Sequence, residues 1–305
     1  IAGTCTGFVS NRIIRDVEFD YVIVDEAAKA TFPELAVSLN KAYKIILVGD
    51  HQQLPPVLDT EIIRNNKEKL DEEGLAQGIF ERMYNMFPED NKHRLTIQYR
   101  MHPTIGTLIS HVFYNDEIQN GVEAQDRELC IEGYEGIAIE WISTSKYSTK
   151  ERYEKEFDNN GKKSYQNYLE RNIIERKLLE LDSKLVKKTK VAVITGYGSQ
   201  KYILQTMVKQ HSFKHIEVDV DTVDAFQGSQ KDIILYSTVR SSGNKYGIGF
   251  LKSEARINVA FSRARCLLII VGDMKFLDNY KIRGNKFPEI IKYITESEGC
   301  RIIEK

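Results

Sequence analysis

At 305 residues the chain exceeds one typical domain and suits two, each long enough to bury its own core. Hydrophobic residues make up 42% and charged residues 29%, and no apolar run approaches the roughly 20 residues that cross a bilayer, so no membrane span is expected. A formal net charge of −1 removes overall basicity as a reason to bind a polyanion, so any such binding must use a local groove.

The opening stretch IAGTCTG has no Met, charged n-region or signal-type apolar block and reads as a piece cut from a longer polypeptide. Cys5, Cys130, Cys266 and Cys300 are scattered, with no CxxC pair and no His at metal-ligand spacing, which points to a reducing, intracellular compartment, cytoplasmic or nuclear. In chain order, YVIVDE (21–26), KIILVGD (44–50), KVAVIT (190–195), DIILYSTV (232–239) and CLLIIVGD (266–273) read as buried parallel strands. GIAIEWI (136–142) and HIEVDV (215–220) are also strand-like. Between these runs lie helical patterns: LDEEGLAQGIFERMYNMF (70–87), NYLERNIIERKLLELDSKLV (167–186) and PEIIKYITESEG (288–299). The mixed charge run from Thr144 to Gln166 is expected to be a mobile, solvated insertion. Strands alternating with amphipathic helices predict an α/β fold with parallel sheets, whose working residues gather beyond the carboxyl ends of the strands.

The first strand stops on Asp25 and Glu26. Paired acids there can hold Mg²⁺ and orient or deprotonate an attacking water, or they can simply cap a helix N-terminus. The second strand ends in Gly49 and Asp50, followed by Gln52, Gln53, Pro55 and Pro56. Gly allows close backbone approach, and an amide can hydrogen-bond both a phosphate oxygen and a water, although the same residues also make a plain turn. In LTIQYRMHP (95–103), Arg100 offers a charged fork for phosphate and Tyr99 a face for a base; a salt bridge and a core Tyr are the alternative. Thr222, Asp224 and the tight Gln227-Gly228 follow the HIEVDV strand and can grip a sugar-phosphate backbone, or Asp224 can close an Asx-turn. Arg256, Arg263 and Arg265 lie on an expected helix leading into the last strand run. Arg256 and Arg263, seven apart, are expected to share one face.

VIVDEAAKA, ILVGDHQQLPPV, LTIQYRMHP, VITGYGSQ, VDTVDAFQGSQKDIIL and RINVAFSRAR stand in the order of motifs II to VI of superfamily 1 helicases. The chain resembles the branch that holds the up-frameshift helicase and senataxin; GLAQGIFERM, HVFYNDEIQNGV and GIGFLKSEARINVA are similar to it as well. The resemblance implies two RecA-like P-loop NTPase lobes, the first incomplete at its N-terminus. Residues 1–95 would finish the first lobe and 96–305 would form the second. It also implies ATP bound between the lobes and single-stranded RNA or DNA running across both, with 5′ to 3′ movement by a monomeric motor. In that scheme Asp25 holds Mg²⁺, Glu26 activates water, Gln53 senses the γ-phosphate, and Arg100 and Arg263 reach the phosphates. Tyr99 stacks on the adenine, with Gly228 and Gln230 also at the nucleotide, and Thr4, Gly7, Thr195, Tyr197 and Thr222 line the strand.

Three departures stand out. No GxxxxGK[ST] phosphate cradle occurs in the 305 residues, and in this family it lies upstream, so the chain alone is expected to bind ATP poorly and not to turn it over. Gln230 stands where the family usually has a ribose-binding Glu, and Lys29 where a Gln is common. A helicase-derived binding module without ATPase activity, or another kind of P-loop phosphotransferase, are the competing readings.

Overall fold

A computed structural model describes residues 1–7, 12, 14, 17–57, 78–159, 162–242 and 247–304. The chain divides into two compact units, Ile1–Arg94 and Leu95–Lys305.

In the first unit, β1 (Phe19–Val24) and β2 (Ala42–Leu47) pair in parallel, joined by helix α1 (Phe32–Leu39). Thr31 starts α1 through a capping box in which its backbone N–H and hydroxyl both reach Glu34 Oε2 at 2.8 Å, with Pro33 in the first turn. Helix α2 (Ile79–Met86) follows, and its Phe80 joins Val24, Ala27 and Leu35 in a small core. The remainder of the expected 70–87 helix, residues 70–77, lies outside the described residues, as does the GLAQ portion of GLAQGIFERM. The two strands were expected to be buried, yet Tyr21, Ile23, Ile45 and Ile46 are exposed, Ile23 by 66%. The physical reason is strand number: among the described residues this sheet has two strands, and a single pair has no neighbours to cover its apolar side chains.

The second unit begins with a short parallel pair, β3 (Ile97–Gln98) and β4 (Gln119–Asn120), flanking helix α3 (Pro103–Phe113). Its centre is a six-stranded, wholly parallel sheet. The strands are β5 (Ile139–Ser143), β8 (Thr189–Thr195), β9 (Ile216–Thr222), β10 (Lys231–Ser237), β11 (Ala264–Gly272) and β12 (Cys300–Glu304), in the spatial order β12-β5-β11-β10-β8-β9. The continuous aliphatic runs of β8, β10 and β11 are buried as a sheet covered on both faces requires. On one face, helix α5 (Tyr168–Lys184) presents Ile173, Ile174, Leu178 and Leu181 to Val191, Val193, Ile233 and Leu235. Helices α6 (Gly198–Val208), α7 (Glu254–Phe261), α8 (Met274–Asn279) and α9 (Phe287–Glu296) complete the layers. Strand β12 at the sheet edge was not anticipated after the closing helix; its register places Arg301 opposite Glu140 of β5.

The 144–166 segment corrects the expectation of a mobile insertion. It folds into a one-turn helix, α4 (Thr149–Arg152), and an antiparallel hairpin of β6 (Lys155–Asn159) and β7 (Lys162–Gln166). Specific bonds to the rest of the unit hold it. Glu154 accepts from the N–H groups of Ser241 and Ser242 at 3.0 and 2.9 Å and from the Ser242 hydroxyl at 2.6 Å, and Arg152 pairs with buried Asp273 at 3.2 Å. A charge run that looks solvated in sequence is thus partly consumed by buried partners.

Candidate functional site

In the first unit the ends of β1 and β2 are laced together. The Val48 N–H donates to Val24 O, and the Ala27 N–H to Val48 O, both at 2.8 Å. This brings Asp25-Glu26 beside Gly49-Asp50. Gly49 is required there because a Cβ would lie 2.7 Å from the Ala28 backbone nitrogen. The acids do not cap α1, whose cap is Thr31; Glu26 stands at the N-cap position of the 3₁₀ turn Ala27–Lys29, where its side chain makes no capping hydrogen bond. Glu26 sits at φ 54°, ψ 33°, the left-handed region that side-chain-bearing residues rarely adopt, and its N–H donates to Asp25 Oδ1 at 2.9 Å. Strain of that kind costs about 1–3 kcal/mol and gathers at functional positions. Both carboxylates are exposed.

Asp50 organises the next turn by accepting from the Gln52 N–H at 3.0 Å and from Gln53 Nε2 at 2.9 Å. The two acids and the amide therefore stand at the carboxyl ends of neighbouring parallel strands. Thr4 and Gly7 share one turn, in which the Gly7 N–H reaches Thr4 Oγ1 at 3.1 Å. Lys29 is exposed on the 3₁₀ turn after the acids, and nothing in the structure explains why it replaces a Gln.

In the second unit the two singled-out arginines meet. Arg100 Nη1 donates to Ser262 O at 3.3 Å, and Arg263 Nη2 to Ser262 Oγ at 3.2 Å. Arg263 is buried, with further donations to Val259 O at 3.1 Å and Ser229 O at 3.3 Å. The expected shared helical face is corrected: α7 ends at Phe261, so Arg263 lies beyond it, at the entry to β11. Arg256 pairs with Asp224 at 3.1 Å and Arg265 with Asp232 at 3.0 Å. Asp224 therefore serves as an ion-pair partner, whereas Asp221 takes the adjacent Thr222 N–H at 2.7 Å.

Residues that the sequence reading missed hold the Tyr99-Arg100 turn. Gln98 Oε1 accepts from the N–H groups of Arg100 and Met101 at 2.9 and 2.7 Å, while its Nε2 donates to Asn120 Oδ1 at 2.7 Å. Arg127 grips the same turn from outside, with Nη2 on Tyr99 O at 2.6 Å and Nε on Arg100 O at 2.8 Å. Tyr99 itself stays exposed, its ring filling the space a Cβ at Gly121 would take, 2.4 Å from Tyr99 Cε1. The only available signals were the Gln one residue before Tyr99 and the Asn-Gly pair in HVFYNDEIQNGV.

Of the residues assigned to the strand, Thr222 is half-buried at the end of β9; Gly228 and Gln230, assigned to the nucleotide, are exposed in the loop that follows. Gly228 adopts φ +81°, which explains a glycine there. Thr195 and Tyr197 lie deeper. Both are buried, Thr195 because it closes a central strand and Tyr197 because it packs between Tyr165 and Phe250. Burial pushes the Tyr197 phenol up to about 12.

Profiles of an AAA domain match residues 75–275 and 1–61. The chain belongs to the superfamily 1 helicase family, in its up-frameshift branch. It is 36% identical over 284 residues to a regulator of nonsense transcripts 1 homolog of Drosophila melanogaster, covering 91% of this chain and 22% of that protein. It is 36% identical over 304 residues to the ATP-dependent helicase NAM7 of Saccharomyces cerevisiae, covering 98% and 29%. A Methanocaldococcus jannaschii protein described as an uncharacterized ATP-dependent helicase is 31% identical over 312 residues, covering 97% and 42%. This superfamily 1 chain thus spans 22% to 42% of the length of those relatives. Among solved structures, a PRRSV helicase overlies 82% of the chain and 34% of its own at a TM-score of 0.39 and 17% identity. Both units layer helices on parallel strands.

Proposed function

We propose that this chain carries the water-activating acids and phosphate-binding arginines of an ATP-dependent helicase or translocase that moves 5′ to 3′ on single-stranded RNA or DNA. The observation that carries the reading is the meeting of Arg100 and Arg263 on Ser262, at 3.3 and 3.2 Å, from positions far apart in the chain. Two permanently charged forks fixed by carbonyl and hydroxyl acceptors suit a ligand that gains negative charge on several oxygens, as a transferring phosphoryl group does. The exposed Asp25-Glu26 doublet of the first unit suits a bound metal. Mg²⁺ is commonly held by one or two carboxylates together with water and substrate phosphates, and these two residues fit that need. Among the described residues no group of three or more His, Cys, Asp or Glu forms an all-protein metal cage.

In this reading residues 1–95 belong to the first lobe and 96–305 to the second. Asp25 would hold Mg²⁺, which when bound would supply charge neutralisation for the phosphate oxygens. Glu26 takes a proton from the attacking water, and the Gln53 amide orients that water against the γ-phosphate. Tyr99, exposed on a turn fixed by Gln98 and Arg127, offers its face to the adenine, with Gly228 and Gln230 at the ribose. Thr4, Gly7 and Thr222 contact the strand backbone. A monomeric motor working inside the cell, in cytoplasm or nucleus, completes the proposal. None of the 305 residues forms a GxxxxGK[ST] cradle, so the test uses the chain extended upstream until that loop is included. Phosphate release is measured with and without single-stranded RNA or DNA, beside a Glu26→Gln control. Strand-stimulated release lost in the control supports the motor. Tight strand binding with no release in either protein favours a binding module and refutes the motor.

A further inference from the structure

The carboxyl ends of β8 and β10 support a column of three aromatic side chains between two arginines that the proposed chemistry leaves unused. At its inner end the guanidinium of buried Arg240 lies 4.0 Å from the centre of the Tyr165 ring. Tyr165 meets Tyr197 edge-to-face at 5.3 Å and 81°, and Tyr197 leans on Phe250 at 5.2 Å and 57°. The Arg256 guanidinium closes the column 4.8 Å from the Phe250 ring centre. Burial is lost only at the outer end: Tyr165 and Tyr197 are buried, whereas Phe250 is 43% exposed between buried Ile248 and Leu251.

A ring left in water at that site is held firmly. Gly196 lets it sit close, since a Cβ there would touch Phe250 Cβ at 3.4 Å. Gly249 adopts φ +58° and leaves the space that the Tyr197 hydroxyl occupies, 2.3 Å from where a Cβ would be. Arg256 is itself fixed by Asp224 at 3.1 Å. Other charges on the same loop and helix are Lys252 and Glu254. A pre-positioned aromatic face loses little freedom when a flat ligand stacks on it, and an arginine beside it adds cation–π attraction. The ring borders Tyr197 and, through Arg256, Asp224, two residues beyond Thr222 at the end of β9.

We propose that Phe250, backed by Arg256, is a stacking platform for one unpaired nucleobase of the single strand. This rests on the strand-binding reading given above and adds to it a residue outside the set assigned there. Stacking of this kind tolerates any base, because every base has a π-face. It therefore supplies grip without sequence preference.

The test measures binding of a fluorescein-labelled thymidine oligonucleotide, and of an abasic oligonucleotide of equal length, to the chain without nucleotide. Phe250→Ala is expected to weaken binding of the thymidine strand about tenfold while leaving the abasic strand unchanged, and Phe250→Tyr to bind both as the parent does. Equal binding of the thymidine strand by Phe250→Ala and the parent overturns the proposal. So does an equal loss on both strands, which would mark a structural or purely electrostatic role. Phe250→Trp adds a direct readout, since the single native tryptophan, Trp141, is fully buried. Emission quenched by the thymidine strand and not by the abasic one supports stacking, and unchanged emission overturns it. A parent chain that binds neither oligonucleotide refutes the strand-binding reading itself, a result distinct from failure of the platform.

Discussion

Glu170 is fully buried in the first turn of α5, and its carboxyl holds the end of the central strand β10. It accepts from the Ser237 hydroxyl at 2.6 Å, the Thr238 hydroxyl at 3.1 Å and the Val239 N–H at 2.9 and 3.0 Å. Val239 needs such restraint, because a β-branched residue at φ +67° is strained by about 1–3 kcal/mol. Glu170→Ala orphans a buried N–H, at about 1–3 kcal/mol, and leaves a cavity, so a total loss of about 3–5 kcal/mol is expected. Glu170→Gln keeps the shape and an acceptor for Val239 and is expected to cost about 1 kcal/mol at neutral pH. Burial pushes the Glu170 carboxyl up to about 8 from 4.5. Between those values the folded chain binds more protons than the unfolded one. The Glu170 contribution to stability is therefore full below pH 4.5 and declines as pH rises toward 8, by at most about 1.4 kcal/mol per unit. Urea unfolding followed by Trp141 emission, which reports on the same sheet, measures this in parent and Gln variant across that range. The parent's advantage over the variant should shrink with rising pH. An advantage that is constant or grows, or an Ala variant no weaker than Gln, refutes the reasoning.

Arg301→Ala leaves Glu140, fully buried on β5, with Lys177 at 3.1 Å and the Tyr134 hydroxyl at 2.9 Å as partners; with the edge-strand anchor lost, the unfolding free energy should fall by about 2 kcal/mol, read as a lower urea midpoint. Gly121→Ala drives a Cβ into the Tyr99 ring, so nucleotide affinity in the upstream-extended chain should fall severalfold with little change in melting temperature. Gln98→Ala releases the Arg100 and Met101 N–H groups and should lower strand-stimulated phosphate release at least tenfold, for about 1–2 kcal/mol of stability. Unchanged turnover would show that the Tyr99-Arg100 turn needs no such clamp.

The second unit was legible where the sequence was locally consistent. DIILYS and CLLIIVG are apolar on both faces, and only a central parallel strand satisfies such a run. The helix from Tyr168 to Lys184 was equally plain, since Leu and Ile recur at helical spacing behind an Asn cap whose side chain takes the Glu170 N–H at 3.0 Å. What stayed hidden depends on partners distant in sequence. Glu154 reads as one more solvated acid until the chain brings it to Ser241, Ser242 and Arg240, 86 to 88 positions away. Gln98 and Arg127 were invisible for another reason: their partners are backbone N–H and C=O groups of the Tyr99-Arg100 turn, and backbone groups carry no signal in a residue pattern.

The arginine segment shows why spacing alone could not settle the site. Seven residues apart would mean one face only if the helix continued, but Ser262 ends α7 and the chain turns into β11. The break separates the two side chains by role. Arg256 remains on the helix surface, where Asp224 and the Phe250 ring hold it beside an exposed aromatic face. Arg263 is drawn inward, its guanidinium fixed by Val259 O, Ser229 O and Ser262 Oγ. A fork so constrained loses little rotational freedom when a phosphate arrives, which favours placing the phosphate charge at Arg263 and Arg100 and the strand at Arg256. Charge-removing substitutions should then separate. Arg263→Gln would act on turnover and Arg256→Gln on strand affinity, and a strand-affinity loss in Arg263→Gln equal to that in Arg256→Gln would contradict the division.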